Sequence, residues 1–379
     1  MNKFKKIRWN HYINYIVIGL FTIILGCVSL AGGHMNSSML FLLEKIAISI
    51  ILAVSLSIVV GFLGELSLGH AGFMCVGAYL GGKVAALLEP TLGNSPLNFL
   101  IALVVGGGIA AICGIIIGIP ALRLRGDYLA IVTLAFGEIV KSIFQNTSDE
   151  TFGGALGLPT PRYNKQYLFI FAFALVLVTL AVVQNFMRSK HGRAVTAIRD
   201  NEIAARSSGI NVTKYKLLAF TISAFFAGIA GVLYSFSNYT VQSAKFGYNY
   251  SIEILVMVVL GGMGSINGSI VAATLITFLN TKLATVLTGD LAVLQNFLYA
   301  LILIVIVIYN NAPALASFRE RFNFATLASK IVKKKKDPSS VTDDKAEWHV
   351  IPTKIEMNEI LSIDITPTDN ITKEKGGDK

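Results

Sequence analysis

Several polar residues interrupt otherwise apolar stretches of this chain and could carry chemistry inside a membrane. Glu65, Ser67 and His70 lie in the glycine-rich stretch GFLGELSLGHAGFMCVGAYLGG, and Glu138 lies in DYLAIVTLAFGEIVKSIF. Ionisable groups are costly in a bilayer, so such residues commonly mark an ion or substrate pathway. Two interpretations are open: a proton relay, or hydrogen bonds that hold a broken helix together. Glu65 and His70 are five positions apart and need not share a helical face, which favours the hydrogen bonds.

The spacing of these residues indicates neither a metal site nor a catalytic centre. His70 has no second ligand at metal-binding spacing, so we expect no metal and a packing role for its ring. The stretch GGMGSING resembles a phosphate-binding glycine loop but lacks the GKS or GKT ending, and no Walker-type lysine motif occurs in the sequence. We therefore expect a protein that is not an enzyme and binds no cofactor, with any ATP hydrolysis carried out by a separate subunit.

The composition is that of a membrane protein. Of the 379 residues, 54% are hydrophobic and only 14% are charged, too few polar residues to cover the surface of a soluble globule. The formal net charge is +10, but the lysines and arginines concentrate in the N-terminal arm, a central loop and the segment after the last apolar run. Orientation signals are found in such places, so the charge indicates contact with the lipid bilayer and not with nucleic acid.

The apolar runs that position these residues predict an all-α, polytopic integral membrane protein with about ten membrane segments, since a span needs about 20 apolar residues. The segments are 11–30, 39–60, 61–82, 97–119, 127–144, 167–187, 217–236, 252–262, 270–287 and 291–309. Glycine and polar residues in 61–82 predict a broken helix that is buried within the protein. The run 252–262 is too short for a straight span, so 252–287 is expected to be a short span plus a full one, or a re-entrant pair.

The basic residues divide the chain into three regions. We expect a basic cytoplasmic arm at 1–10, a permease domain at 11–310, and at 311–379 a cytoplasmic basic segment followed by a largely disordered tail. Both termini are thus expected on the cytoplasmic side. Glu44 and Lys45 are expected near the outer end of their segment, where long charged side chains can reach the interface.

A basic, glycine-punctuated island, RSKHGRAVTAIRDNEIAARSSGINVTKYK, occupies residues 188–216 between two long apolar runs. Between membrane spans such an island must lie in water, and its lysines and arginines place it on the cytoplasmic side. Charged and small apolar residues alternate at roughly helical spacing from Ile198 to Ala205, and Gly209-Ile210 ends the pattern. We expect a short surface helix with one face free for a partner. The alternative is a solvated loop that only fixes orientation.

Five blocks of sequence resemble those of one transporter family. Asn201–Ala205, followed by Gly209-Ile210, resembles the EAA coupling loop of ABC importer permeases. GRAVTAIRDNEIAARSSGINVTKYKLLAFTISAFFAGIAGVLY is similar to branched-chain amino acid importer permeases of the LivM type. SLGHAGFMCVGAYL, LRLRGDYLAIVTLAFGEI, FGGALGLP and GYNYSIEILVMVVLGGMGSINGSIVAA match the same family in the same order and cover most of Gly61–Ala273. The resemblance does not reach the C-terminal tail.

The resemblance implies that the loop docks into a groove on a separate ATPase subunit. Small residues would allow two backbones to approach closely: Ala204, Ala205 and Gly209, followed by Ile210. Charged residues would make contacts at the rim: Arg199, Asp200, Glu202 and Arg206.

The resemblance also implies an ABC importer permease fold in a bacterial-type cell membrane. The chain would be one of two unlike permease subunits that pair as a heterodimer, driven by two ABC ATPase subunits. An extracytoplasmic binding protein would deliver leucine, isoleucine or valine and set most of the specificity, and the sequence shows no clear amino-acid site in the pore. One alternative is a permease of the same superfamily for a sugar, nucleoside, urea or another amino acid. The other is an ion-coupled secondary transporter using Glu65 and Glu138, which would leave the coupling loop unexplained.

Overall fold

The structure is a computed structural model that describes residues 15, 18–22, 36–93, 95–124, 126–161, 165–286, 297, 300, 301 and 304. The predicted arm and tail, 1–10 and 311–379, lie outside the described residues. So do most of the predicted first and last segments, 11–30 and 291–309. All the described residues belong to one compact unit, Met1–Asn311.

The described part of the chain is almost entirely helical. Its helices are α1 (Ser37–Ser57), α2 (His70–Leu92), α3 (Pro96–Ala121), α4 (Asp127–Gln145), α5 (Asp149–Phe152), α6 (Lys165–Arg188), α7 (Lys190–Asp200), α8 (Glu202–Ser207), α9 (Val212–Ser237), α10 (Tyr248–Gly261) and α11 (Ile266–Val286). A π-helix, Ile58–Leu63, continues α1, and a 3₁₀-helix, Ser243–Phe246, precedes α10. Two-residue strands β1 (Leu158–Pro159) and β2 (Thr240–Val241) pair antiparallel, with Leu158 opposite Val241.

Six helices in the described ranges are long and apolar enough to cross a membrane, and this makes the chain a multi-pass, all-α membrane protein. They are Ser37–Leu63, His70–Leu92, Pro96–Ala121, Tyr167–Arg188, Val212–Ser237 and Ile266–Val286. The predicted total of about ten segments is not confirmed. One reason is that residues 61–82 do not form a separate span: they contain the end of one long helix, a break and the first half of the next. The short run that follows α9 forms the 14-residue α10.

The central helix of the described unit is α9, which packs against α1, α2 and α3. Small residues make this contact close. A Cβ atom on Gly77 of α2 would collide with the backbone carbonyl of Gly228 on α9, and one on Gly231 would collide with the carbonyl of Met74. Close approach of helix backbones through small residues is the ordinary way in which membrane helices associate. The stretch AGIAG in α9 therefore packs one helix directly on another.

Alanine in place of Gly77 of α2 and of Gly108 of α3 should have different effects on stability. We expect Gly77→Ala to destabilise the protein by about 2 kcal/mol, because the added methyl group must push two backbones apart. Gly108→Ala in α3 is the matched control, since its Cβ meets nothing within 4 Å. Alanine is the better helix former by about 1 kcal/mol, so that variant should be unchanged or more stable. Thermal melting followed by size-exclusion chromatography measures the stability of both variants. Equal melting temperatures would contradict this packing.

The glycine-rich stretch after α1 is broken, as its composition predicts. The π-helix ends at Gly64, whose φ of 78° is favourable only for glycine, and residues 64–69 are non-helical before α2 begins at His70. Thr133 of α4 supports the break, since its hydroxyl accepts a hydrogen bond from the backbone N–H of Leu68 at 3.0 Å. Most of 70–82 is buried, whereas the break itself is only partly buried: Ser67 and Gly69 are buried and Gly64 is exposed.

The prediction that Glu44 reaches the interface is wrong. Its side chain is fully buried, and Oε2 accepts a hydrogen bond from the Ser237 hydroxyl of α9 at 2.5 Å. The physical reason is the position of α1. This helix is a core element surrounded by other helices, so its polar side chains bond within the protein.

Candidate functional site

Two short helices form the exposed island between α6 and α9, in place of the single helix predicted from Ile198 to Ala205. Helix α7 is capped by Ser189, whose hydroxyl accepts a hydrogen bond from the N–H of His191 at 3.1 Å, and it ends at Asp200. Asn201 then takes an extended conformation, and its side chain accepts from the N–H of Ala204 at 3.0 Å. Asparagine at such a position caps a new helix more readily than it continues an old one. Asn201 therefore separates α7 from α8.

Arg199 joins this island to the broken segment. Its Nη1 donates to the carbonyl oxygen of Gly61 in the π-helix at 3.2 Å, and its Nε and Nη2 donate to Oδ1 of Asp200 at 3.1 and 3.0 Å. The stem lies against Gly64, where a Cβ would come within 2.7 Å of Arg199 Cγ. Arg199 is thus not simply a rim residue as predicted, because one end of its guanidinium is bound to the membrane helices.

Lys216 makes a second connection between the same parts of the molecule. It belongs to α9, its side chain is 5% exposed, and its Nζ donates to Glu65 Oε1 at 2.5 Å and to Glu202 Oε2 at 3.3 Å. Glu65 lies in the break after α1, whereas Glu202 begins α8. The other carboxylate oxygen of Glu202, Oε1, accepts a hydrogen bond from Arg206 of the same helix at 3.0 Å. A buried ammonium group therefore holds the break and the exposed helix together.

Sequence reasoning missed Lys216, although its spacing was informative. Positions 212, 216, 219, 220 and 223 are the buried face at the start of α9, and they repeat every three or four residues. The apolar and small residues at four of these positions predict that Lys216 points inward with them. A lysine on such a face requires acidic partners, which are Glu65 and Glu202.

The other polar residues singled out from the sequence bond to different partners. His70 is buried at the start of α2, and its Nε2 lies 2.9 Å from the Ser55 hydroxyl of α1. Ser67 is buried in the break. Glu138 pairs with Lys141 at 2.9 Å and accepts from the N–H of Tyr248, the first residue of α10, at 2.8 Å. None of these contacts joins His70 to Glu65 or Glu138. Among the described residues, no group of three or more His, Cys, Asp or Glu side chains could hold a metal ion.

The exposed face of α8 differs from the predicted small-residue face. Ala204 and Gly209 are exposed and Ile210 is half-buried, but Ala205 is 4% exposed and packs against the core. Ile203, which sequence reasoning did not select, is 74% exposed. We use "the exposed face of α8" for Ile203 and Ala204 of the helix together with Gly209, which follows the helix two residues after its last residue. A large aliphatic side chain and two small residues are exposed there. Gly209 ends the helix with a φ of 82°.

Comparison with known proteins identifies relatives among membrane permeases. Residues 38–307 match the family described as "Branched-chain amino acid transport system / permease component". The chain is 40% identical over 260 residues to the high-affinity branched-chain amino acid transport system permease protein LivM of Salmonella typhimurium, and 40% identical over 260 residues to that of Escherichia coli. Each of these two alignments covers 60% of this chain and 60% of the relative.

A more distant relative is named as a permease for ribose import. The chain is 27% identical over 294 residues to the ribose import permease protein RbsC of Escherichia coli, in an alignment that covers 71% of this chain and 84% of that protein. No solved structure matches the chain.

Proposed function

This chain belongs to the family of permease components of branched-chain amino acid transport systems, and on that premise we propose that it is a membrane-spanning subunit of an ATP-driven importer for leucine, isoleucine and valine. The observation that carries the proposal is the family match over residues 38–307. The matched range includes both the broken segment and the exposed helices α7 and α8. The LivM proteins of two bacteria are named as permease proteins of a high-affinity branched-chain amino acid transport system.

In this proposal the chain works with several partners in a cell membrane. A second, unlike permease subunit completes the pore, two ABC ATPase subunits bind on the cytoplasmic side, and a binding protein delivers the amino acid on the other side. The chain itself binds no cofactor and catalyses no reaction, since ATP is hydrolysed by the ATPase subunits. The exposed face of α8 supports the docking step, because an aliphatic side chain beside two small residues fits a groove on a partner. The island and both termini would then lie in the cytoplasm.

The two connections from the island support a mechanism for coupling. ATP binding closes the ATPase pair and shifts α8, which is held to Lys216 through Glu202. Lys216 is held in turn to Glu65 in the break after α1, and Arg199 binds the same region through Gly61. A break in a buried helix is a place where two arrangements of similar free energy are possible. Nucleotide binding would shift the population between an inward-facing and an outward-facing pore through these contacts.

A second candidate function is uptake of another solute. The match to a ribose import permease supports this alternative. The match to that protein covers a larger share of it than the match to the LivM proteins does. The higher identity to the LivM proteins favours branched-chain amino acids. Uptake assays with leucine, isoleucine, valine and ribose side by side distinguish the two.

The energy source of uptake tests the proposal. In proteoliposomes containing the complete complex and its binding protein, we expect L-leucine uptake to require ATP on the side of the ATPase subunits. Collapse of proton and sodium gradients by ionophores should leave the initial rate unchanged, because no ion moves with the solute. Complexes loaded with ADP are the control. Uptake that persists with ADP and stops with the ionophores would contradict an ATP-driven importer, and Glu65 and Glu138 would become the residues to examine.

A further inference from the structure

A cavity of about 660 Å³ lies beside the start of α1 and the end of α9. This end of α9 is the one distant from α8. Its walls come from the first part of α1, the end of α9, the 3₁₀-helix, α10 and the end of α11. Asn238 in its wall lies 22 positions after Lys216, next to the end of the same helix, which corresponds to roughly 30 Å along α9. A cavity of this volume is within the usual range of small-molecule sites. It therefore has the size and the position of a solute site on the side opposite to the island.

The charges around this cavity favour a ligand that carries a carboxylate. The charged residues among the lining side chains are Lys45, Lys245 and Glu253. Lys45 lies beside Phe41, and its Nζ is 4.6 Å from the centre of that ring. Two ammonium groups and one carboxylate leave an excess of positive charge in a partly apolar site, where Coulomb interactions are stronger than in water. An anionic group bound between the two lysines would offset that excess.

Other lining residues offer groups for an ammonium. Glu253 is fixed on α10, because its Oε1 accepts a hydrogen bond from Asn280 Nδ2 of α11 at 3.0 Å. One turn before Asn280, Thr277 is 7% exposed and lines the cavity, and its hydroxyl has no hydrogen-bond partner among the described residues. Buried hydroxyl groups are nearly always bonded, so Thr277 is a group that a polar ligand atom would satisfy.

Apolar side chains complete the lining. Phe41 and Ile48 belong to α1, and Phe246, which is 1% exposed, ends the 3₁₀-helix.

We propose that this cavity binds a zwitterionic α-amino acid with an aliphatic side chain. The carboxylate lies between Lys45 and Lys245, the ammonium lies at Glu253, and the side chain packs on the aromatic and aliphatic wall. This inference rests on the proposed function, and it adds a solute site within the permease itself, where the amino acid binds after the binding protein releases it.

Protection of a cysteine in the cavity tests this site. The purified complete complex would carry Thr281→Cys in a background whose three native cysteines are alanine, and alkylation by N-ethylmaleimide would be timed. Thr281 lines the cavity and is half-buried. We expect millimolar L-leucine to slow alkylation several-fold. Isocaproate, which lacks the ammonium, and isoamylamine, which lacks the carboxylate, should protect much less. Ser142→Cys, an exposed position on α4 outside the cavity, should react equally with and without leucine.

Charge variants test whether the cavity recognises a zwitterion or only an apolar group. Lys45→Gln and Glu253→Gln, each combined with Thr281→Cys, should lose the protection by leucine, whereas Lys141→Gln should keep it. Equal protection by leucine, isocaproate and isoamylamine would show an apolar or lipid site and would overturn the proposal. So would a Thr281→Cys thiol that reacts in the isolated chain but not in the complex, because a partner subunit would then fill the cavity.

The same preparation distinguishes failure of the site from failure of the proposed function. If leucine gives no protection while uptake of leucine driven by ATP is intact, the cavity site is wrong and the importer stands. If leucine protects Thr281→Cys in a complex that does not take up branched-chain amino acids, the site stands and the proposed function is wrong.

Discussion

Ile203→Arg is expected to release the ATPase subunits from the purified complex while the permease chain remains folded. Ile203 is 74% exposed, so an arginine is easily solvated in the free chain. In the complex its charge would be buried without a partner, which costs about 3 kcal/mol, a roughly hundredfold loss of affinity. Affinity purification followed by mass spectrometry measures the amount of ATPase retained.

The matched control for this variant is Leu156→Arg. Leu156 is 76% exposed and lies between α5 and β1, far along the chain from the island. Its replacement introduces the same charge at a site of the same exposure, and we expect full retention of the ATPase. Equal retention with both variants would contradict docking through the exposed face of α8. Equal loss with both would indicate that a surface charge anywhere disturbs the complex.

Lys216→Met should have the largest effect on coupling between ATP hydrolysis and transport. The substitution leaves Glu65 and Glu202 without the ammonium group that lies between them, and removing one partner of a buried ion pair costs about 3 to 5 kcal/mol. We expect a lower melting temperature and ATP hydrolysis that continues without leucine uptake. Lys214→Met is the control, because Lys214 lies two residues earlier on the same helix, is exposed and should behave as wild type.

A double variant separates stability from coupling. Glu65→Gln combined with Lys216→Met removes the unpaired charge in the break, so most of the lost stability should return. The connection between the break and α8 stays absent, and uptake should remain low. Recovery of uptake together with stability would show that Lys216 is only a structural residue and would contradict the coupling mechanism.

The element types were largely predictable because the apolar runs in this chain are long. Membrane helices follow from length and hydrophobicity, and the glycine-rich stretch 61–82 correctly predicts a broken helix. The prediction for Glu44 failed because hydrophobicity does not tell whether a helix faces lipid or other helices. Both environments favour the same apolar residues, so only the packing of α1 in the core shows that Glu44 bonds to Ser237.

The local details of the island depended on interactions between distant residues. A pattern of small and charged residues predicts a helix, but it does not show that Asn201 ends one helix and begins another. Nor does it show that Ala205 is buried while Ile203 is exposed. The partners of Lys216 are 14 and 151 positions away along the chain, so spacing alone predicts an inward lysine without identifying the carboxylates that pair with it.

Photo-crosslinking from position 203 tests most directly whether α8 binds an ATPase. A benzophenone amino acid would replace Ile203 in the full chain, with position 156 as the control, and membranes would be irradiated before purification. We expect an adduct with an ABC ATPase from position 203, none from position 156, and a higher yield when ATP is present. An ATPase that copurifies with the chain but forms no adduct from position 203 would contradict the assignment of this helix as the docking element.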